Sequence, residues 1–320
     1  MEEPSCAGRF ALSLWEGYGG EGNVTPGGRS TLEIMPDTSF AALVRAAAQR
    51  LADAGVTDPL VDAELLVGHV RGLRRGEVQA AVVRGDVMSD ADAERLDALV
   101  TRRESREPLQ HITGTAPFRH LELAVGPGVF VPRPETEMVV QHAIDALLHA
   151  PDPQPIGIDL GTGSGAIALA MATEVPHARI YAAELSPEAH AWASRNTADA
   201  ENLTLVLADM ADAFPDLAGA ASVVISNPPY VPDSAIPRDP EVRLFDPAMA
   251  LYGGEDGLDL VRALSTNALR LLRPGGLLVI EHGELQGAEI RGILERDDWR
   301  AAATHRDLTL RDRATTAIRP

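Results

Sequence analysis

Four consecutive residues, Asn227-Pro228-Pro229-Tyr230, follow directly on an apolar run at 223–226. Two adjacent prolines have no backbone donors and fix φ, so the bend they make presents bare carbonyl oxygens from a stiff frame. A planar NH2 group suits that frame. The Asn227 side-chain oxygen can accept one of its hydrogens and a backbone carbonyl near Pro228 the other, while the Tyr230 ring covers the flat face. An amide nitrogen is a poor nucleophile because its lone pair is delocalised into the carbonyl. Two fixed acceptors can turn it towards tetrahedral geometry, aim the lone pair at a sulfonium methyl and stabilise the positive charge that develops on nitrogen. Asn227, Pro228 and Tyr230 are therefore the candidate catalytic residues. Their pattern specifies an NH2 acceptor and leaves glutamine, adenine and cytosine open.

A second constellation supplies the donor end. Asp159-Leu160-Gly161-Thr162-Gly163-Ser164-Gly165 stands where a short apolar run passes into a helical one. Glycines at such a junction let the backbone turn sharply and come close to a ligand at the carboxyl end of a sheet. With Ala166 the run also fits a dinucleotide fingerprint, so alone it does not separate a nicotinamide cofactor from S-adenosyl-L-methionine. Glu184 ends the next apolar run, where a carboxylate can accept both ribose hydroxyls of an adenosine. Asp209 and Met210 end the third, where one can bond an adenine amino group and the other pack on its face. Asp159 either receives the cofactor's ammonium or bonds the amides of the loop.

These residues need elements to carry them. Runs at 156–160, 179–184, 203–208, 222–226 and 276–281 read as short buried strands, separated by helices at about 166–173, 187–199 and 258–272. That alternation predicts an α/β fold, a doubly wound and mostly parallel sheet. Segments 300–305 and 315–318 read as a closing antiparallel pair. Upstream, Phe40, Leu43, Val44, Ala47 and Leu51 recur at helical spacing before Gly55. A second helix is expected at 60–70, and a third after Ser89 with Leu96, Leu99 and Val100 on one face. Residues 36–106 thus form a small helical domain. The stretch 107–134 reads as a β-hairpin linker, with alternating segments at 118–125 and 129–131, and 135–320 as the catalytic domain, opening with a helix at 135–149. Residues 1–35, rich in Gly and Ser, read as a disordered extension.

Composition removes several reaction classes. All 28 basic residues are Arg, so no lysine exists to bind a P-loop phosphate or to form a Schiff base. Cys6 is the single cysteine, and no histidine stands in a ligand cluster, so a metal is not expected. A net charge of −19 opposes a phosphate backbone, so direct binding of nucleic acid is not expected either. The absence of a long apolar run or a signal pattern predicts a cytoplasmic protein without membrane contact, taken as a monomer.

Taken together, Pro132-Arg-Pro-Glu-Thr-Glu137, the glycine loop, Ser226-Asn-Pro-Pro-Tyr230, Gly253-Gly-Glu-Asp-Gly-Leu-Asp259 and Pro274-Gly-Gly276 resemble, in order, the release factor glutamine methyltransferases of the HemK/PrmC type. The resemblance runs from about residue 37 to the C-terminus. It implies a helical N-terminal domain, a hairpin linker and a class I, Rossmann-like methyltransferase domain. It also implies transfer from S-adenosyl-L-methionine, leaving S-adenosyl-L-homocysteine, to the glutamine N5 of the Gly-Gly-Gln loop of peptide chain release factors in translation termination. Cofactor contacts carry over onto Gly161, Gly163, Gly165, Glu184, Met210 and Asn227, and substrate contacts onto Asn227, Pro228, Pro229 and Tyr230. Thr162, Ser164, Asp159 and Asp209 complete the expected cofactor set. The helical domain would grip the release factor away from its reactive loop. Arg133 and Glu135 read equally as a wall near the cofactor or as a salt-bridged linker. His111 and His282 depart from the family pattern and are expected to alter packing. The rival readings are an adenine-N6 or cytosine-N4 nucleic-acid methyltransferase, a ribosomal protein glutamine methyltransferase, and a non-catalytic cofactor-binding scaffold.

Overall fold

A computed structural model describes residues 37–320, so the expectation for 1–35 lies outside the described residues. The chain from Thr38 to Pro320 forms one compact unit. It opens with helices α1 (Phe40–Asp53), α2 (Pro59–Arg71), α3 (Arg75–Arg84) and α4 (Asp90–Glu104). Ser39 and Ser89 cap α1 and α4, each hydroxyl accepting a backbone N–H of the first turn at 3.2 Å. Phe40, Val44, Ala47 and Leu51 of α1 meet Leu66, Val67, Val78, Leu96 and Val100 in a separate apolar core. α3 was not expected, because its buried face holds only Val78 and Ala81.

The chain then makes a short helix α5 (Leu109–Thr113) and the antiparallel pair β1 (Thr115–Phe118) and β2 (Leu121–Ala124). The hairpin therefore lies one element earlier than the alternation suggested, and 129–131 is not a strand. Its turn carries no glycine; Arg119 occupies it at a φ of 54°. That backbone is held by its own contacts: the Arg119 N–H donates to Glu137 at 2.9 Å and the guanidinium to Glu174 at 2.5 Å.

Next come α6 (Pro134–Leu148), β3 (Ile156–Leu160), α7 (Ala166–Glu174), β4 (Arg179–Glu184), α8 (Pro187–Thr197), β5 (Leu203–Leu207), β6 (Ala221–Ser226), α9 (Pro240–Phe245), α10 (Asp259–Leu271), β7 (Leu272–Glu281), α11 (Gly287–Arg296), β8 (Arg300–Arg306) and β9 (Asp312–Ile318). The strands form one sheet in the order β5-β4-β3-β6-β7-β9-β8. β3 to β7 are parallel, and β9 runs antiparallel to β7 and β8. α6 and α7 cover one face of the sheet, and α10 and α11 the other. This is the class I methyltransferase arrangement. β3 and β6 are buried throughout, which is why they read as continuous apolar runs rather than alternating ones.

Helix α9 was also unforeseen. It docks on the helical region through a buried ion network: Arg103 donates to Asp62 at 2.7 Å and to Glu241 at 2.6 Å, and Arg106 donates to Glu241 at 3.0 Å. Burial pushes the Asp62 carboxyl up, against the pull of Arg103. Removing one partner would strand a buried charge.

Candidate active site

Both constellations sit at the carboxyl ends of neighbouring strands, the glycine loop after β3 and the proline bend after β6. Strand order reverses here, with β4 and β5 to one side and β7 to the other, and such folds bind ligands at this crevice. The two ends are tied directly: the buried Ser226 hydroxyl donates to the Leu160 carbonyl at 2.6 Å.

In the loop, Gly161, Gly163 and Gly165 all adopt positive φ, at 76°, 59° and 85°. A side chain on Gly163 would project into open space, the room a ligand needs. The Glu184 carboxylate is fixed from two sides, Oε2 accepting the Gly163 N–H and Oε1 the Ser186 N–H, both at 2.8 Å. Each oxygen keeps a lone pair for a hydroxyl. The Met210 methyl lies 3.2 Å from where a Gly161 Cβ would stand, so this side chain reaches the loop. Asp209 is exposed at the rim, with Oδ1 accepting the Ala211 N–H at 2.9 Å.

Asp159 lies wholly beneath the loop. Its Oδ2 accepts the Thr162 hydroxyl at 2.5 Å, and its Oδ1 has no partner among the described residues. Burial pushes this carboxyl up to about 7. Thr162 and Ser164 are buried too. Asn196 ties the Ser164 carbonyl to the linker by donating to it and to the Ala124 carbonyl, both at 2.9 Å.

At the bend, neither the Asn227 carboxamide nor the Pro228 carbonyl makes a hydrogen bond among the described residues, although Pro228 itself is buried. The bend is stiffened from behind by the 253–259 motif. Val231 pairs with Tyr252, and the Gly253 N–H donates to the Val231 carbonyl at 2.9 Å. Added Cβ atoms on Gly253 and Gly257 would fall 2.4 Å from the Pro229 oxygen and 2.3 Å from the Tyr230 oxygen. These glycines are therefore required by the close passage of two backbones, a role that their spacing did not reveal. Gln286 adds a further brace, donating to the Tyr230 carbonyl at 2.9 Å and accepting the Gly283 N–H at 3.0 Å.

Tyr230 feels charged groups from β7, β9 and the start of α6. Burial raises its phenol to about 12, with Glu281 adding to the shift and Arg313 and Arg133 opposing it. Arg133 donates to the buried Asp246 at 2.9 Å, fastening the linker to the segment after the bend, so a salt-bridged linker is the arrangement present. Glu135 stands half-buried beside it, its carboxylate without a hydrogen bond among the described residues. His111 is buried, with Nε2 unpartnered among the described residues. His282 is fully buried; its Nδ1 donates to the Gly283 carbonyl at 2.9 Å, so its Nε2 accepts the Thr315 hydroxyl at 2.8 Å. Burial pushes both imidazoles down, which favours their neutral forms. Among the described residues no group of three or more His, Cys, Asp and Glu is placed to hold a metal, and no helix is long and apolar enough to cross a membrane.

Residues 42–114 match the family described as the PrmC N-terminal domain, and 127–255 the methyltransferase small domain. The chain is 51% identical to a release factor glutamine methyltransferase of Streptomyces coelicolor over 86% of its own length and 96% of the relative's. It is 42% identical to one of Bifidobacterium longum, over 86% and 98%. It is also 36% identical, over 84% and 91%, to a 4-amino-L-phenylalanine/4-methylamino-L-phenylalanine methyltransferase of Streptomyces pristinaespiralis. With its fold, its paired loops and this extent of identity, the chain belongs to the release factor glutamine methyltransferase family.

Proposed function

We propose that this enzyme transfers a methyl group from S-adenosyl-L-methionine to the side-chain amide nitrogen of the glutamine in the Gly-Gly-Gln loop of peptide chain release factors. The observation that carries the reading is the pair of unbonded acceptors, the Asn227 carboxamide oxygen and the Pro228 carbonyl, held on a braced bend beside the glycine loop. The residues of the loop fit the cofactor: Glu184 would accept the ribose hydroxyls, Met210 would pack on the adenine, Asp209 would meet its amino group, and Gly161, Gly163 and Gly165 would admit the chain that carries sulfur. Asp159, with Thr162, would support this loop from below, and Ser164 would join it to α8.

When bound, the cofactor supplies an electrophilic methyl on a positively charged sulfur. Asn227 and Pro228 would hold both amide hydrogens, turning the nitrogen lone pair out of conjugation and towards that methyl. The same oxygens would stabilise the charge that arises on nitrogen, and one amide proton leaves after the methyl has arrived, restoring a neutral amide. Tyr230 and Pro229 would enclose the carboxamide and exclude water from it. We assign 36–106 to gripping the release factor and 107–134 to linking that grip to the transfer site, with a cytoplasmic location and a monomeric chain.

Labelled methyl donor, incubated separately with purified release factors, ribosomal protein, duplex DNA and 4-amino-L-phenylalanine, tests the reading. Label on the loop glutamine supports it. Label on DNA or on the free amine alone sinks it.

A further inference from the structure

Glu281 ends β7 and is used by nothing described so far. It is 2% exposed, and among the described residues neither its Oε2 nor the adjoining Thr136 hydroxyl, in the first turn of α6, meets a partner in good hydrogen-bond geometry, although that hydroxyl stands near enough to favour the charged carboxylate. A buried, unsatisfied carboxylate oxygen is costly and calls for a partner that arrives later or turns into place. The register supplies one. Ile225 pairs with Val279 and Ser226 with Ile280, so Asn227 comes level with Glu281 as β6 ends. Val223, Ile225 and Val279 share the face packed by α6, while Val224, Leu278 and Ile280 share the other. By that alternation Asn227 and Glu281 fall on the same face of adjacent parallel strands. Both have unused hydrogen-bonding capacity.

The chemistry at Asn227 needs an orientation that the bend alone does not supply. A carboxamide has an oxygen end and an NH2 end of almost equal size, and only the oxygen can accept from the substrate nitrogen. We propose, on the reading of the site given above, that Glu281 is a positioning residue: its free Oε2 accepts from the Asn227 Nδ2 and so turns Oδ1 towards the substrate amide. Protonated, Glu281 would instead donate to Oδ1 and compete with the substrate for it. Burial pushes this carboxyl up to about 7, with Glu135 adding to the shift and Thr136 and Arg313 opposing it. The groups that face it are thus Arg313 from β9, Glu135 and Thr136 from α6, and Tyr230 from the bend, whereas the neighbouring His282 is held by Gly283 and Thr315.

The test is a double-mutant cycle on purified full-length chain, read by methyl transfer to a release factor, with cofactor affinity and thermal unfolding measured alongside. Glu281→Gln removes the charge without changing shape and replaces an acceptor-only group by one that can either accept from or donate to Asn227, so the orientation is no longer set; kcat should fall about tenfold, with cofactor Kd and substrate KM within about twofold. Wild-type kcat should rise from about pH 6 to about pH 8, and the variant should lose that limb. In an Asn227→Asp background both side-chain ends are acceptors, so Glu281→Gln should cost nothing further there. A merely structural role would lower the rate in both backgrounds and overturn the proposal, as would a variant with wild-type kcat and pH limb. A flat wild-type profile overturns it whatever the variant does. Absence of transfer by the wild-type chain would instead overturn the underlying functional reading.

Discussion

Replacing Gly253 by alanine moves the bend without touching substrate or cofactor. The new Cβ would lie 2.4 Å from the Pro229 oxygen and 2.8 Å from the Gly257 oxygen. Carbon and carbonyl oxygen sit comfortably at about 3.3 Å or more, so roughly 0.9 Å of movement is needed. Gly253 cannot easily yield it, because its N–H is bonded to the Val231 carbonyl at 2.9 Å and its carbonyl accepts the Asp259 N–H at 3.0 Å. The displacement passes into Pro229, one residue from the acceptor at Pro228. A misplacement near 1 Å in a positioned reaction costs about 10²-fold, and that is the expected fall in kcat. Overpacking should also cost about 1–3 kcal/mol of stability. Single-turnover transfer at saturating cofactor reads the rate, and calorimetric titration should give an unchanged cofactor Kd. Gly76→Ala, in α3 with open space around it, is the control and should leave kcat alone. A folded Gly253→Ala chain with kcat within about twofold of wild type would refute the claim that the bend's exact placement governs transfer.

Asn227→Ala should lower transfer by about 10²–10³-fold while cofactor affinity falls less, since the acceptor acts chiefly in the transition state; equal, severe loss of both would make Asn227 mainly a cofactor ligand. Glu184→Gln should weaken cofactor binding about tenfold or more, as for a bond to a charged group, with kcat at saturation little changed; unaltered affinity would remove Glu184 from the ribose role. Glu281, raised from an ordinary 4.5 to about 7, favours folding while protonated, so its contribution is full below about pH 4.5 and lost as pH rises through 7. About 3 kcal/mol is the upper bound on that loss, and urea unfolding at about pH 5 and about pH 8 should show a smaller fall for Glu281→Gln than for wild type; equal falls would place the titration elsewhere, Asp159 being the next candidate.

What the sequence disclosed follows the physics of each element. Strands buried on both faces are continuous apolar runs, and β3, β4 and β6 were readable within a residue. The glycine loop and the proline bend are local chemistry, so their residues could be named from spacing, and sheet order then brought them together. Long-range contacts were not readable. Gly253 and Gly257 are explained only by the carbonyls of Pro229 and Tyr230, more than twenty residues away in the chain. The hairpin was misplaced because Arg119 carries its turn on side-chain and backbone contacts to Glu137 and Glu174 instead of a turn residue. Helix α9 escaped notice because Glu241 finds its partners, Arg103 and Arg106, in the helical region. Asp159 keeps both of its readings: Oδ2 is bonded to Thr162 within the loop, while the buried Oδ1 has no partner among the described residues and stays open to an ammonium.

A crystal structure of this chain with S-adenosyl-L-homocysteine and a Gly-Gly-Gln peptide would test the amide cradle most directly. The glutamine nitrogen should lie about 3 Å from both the Asn227 Oδ1 and the Pro228 carbonyl oxygen, on the side that faces sulfur. A glutamine bound with its oxygen towards Asn227, or a bend whose carbonyls point away from sulfur, would contradict it.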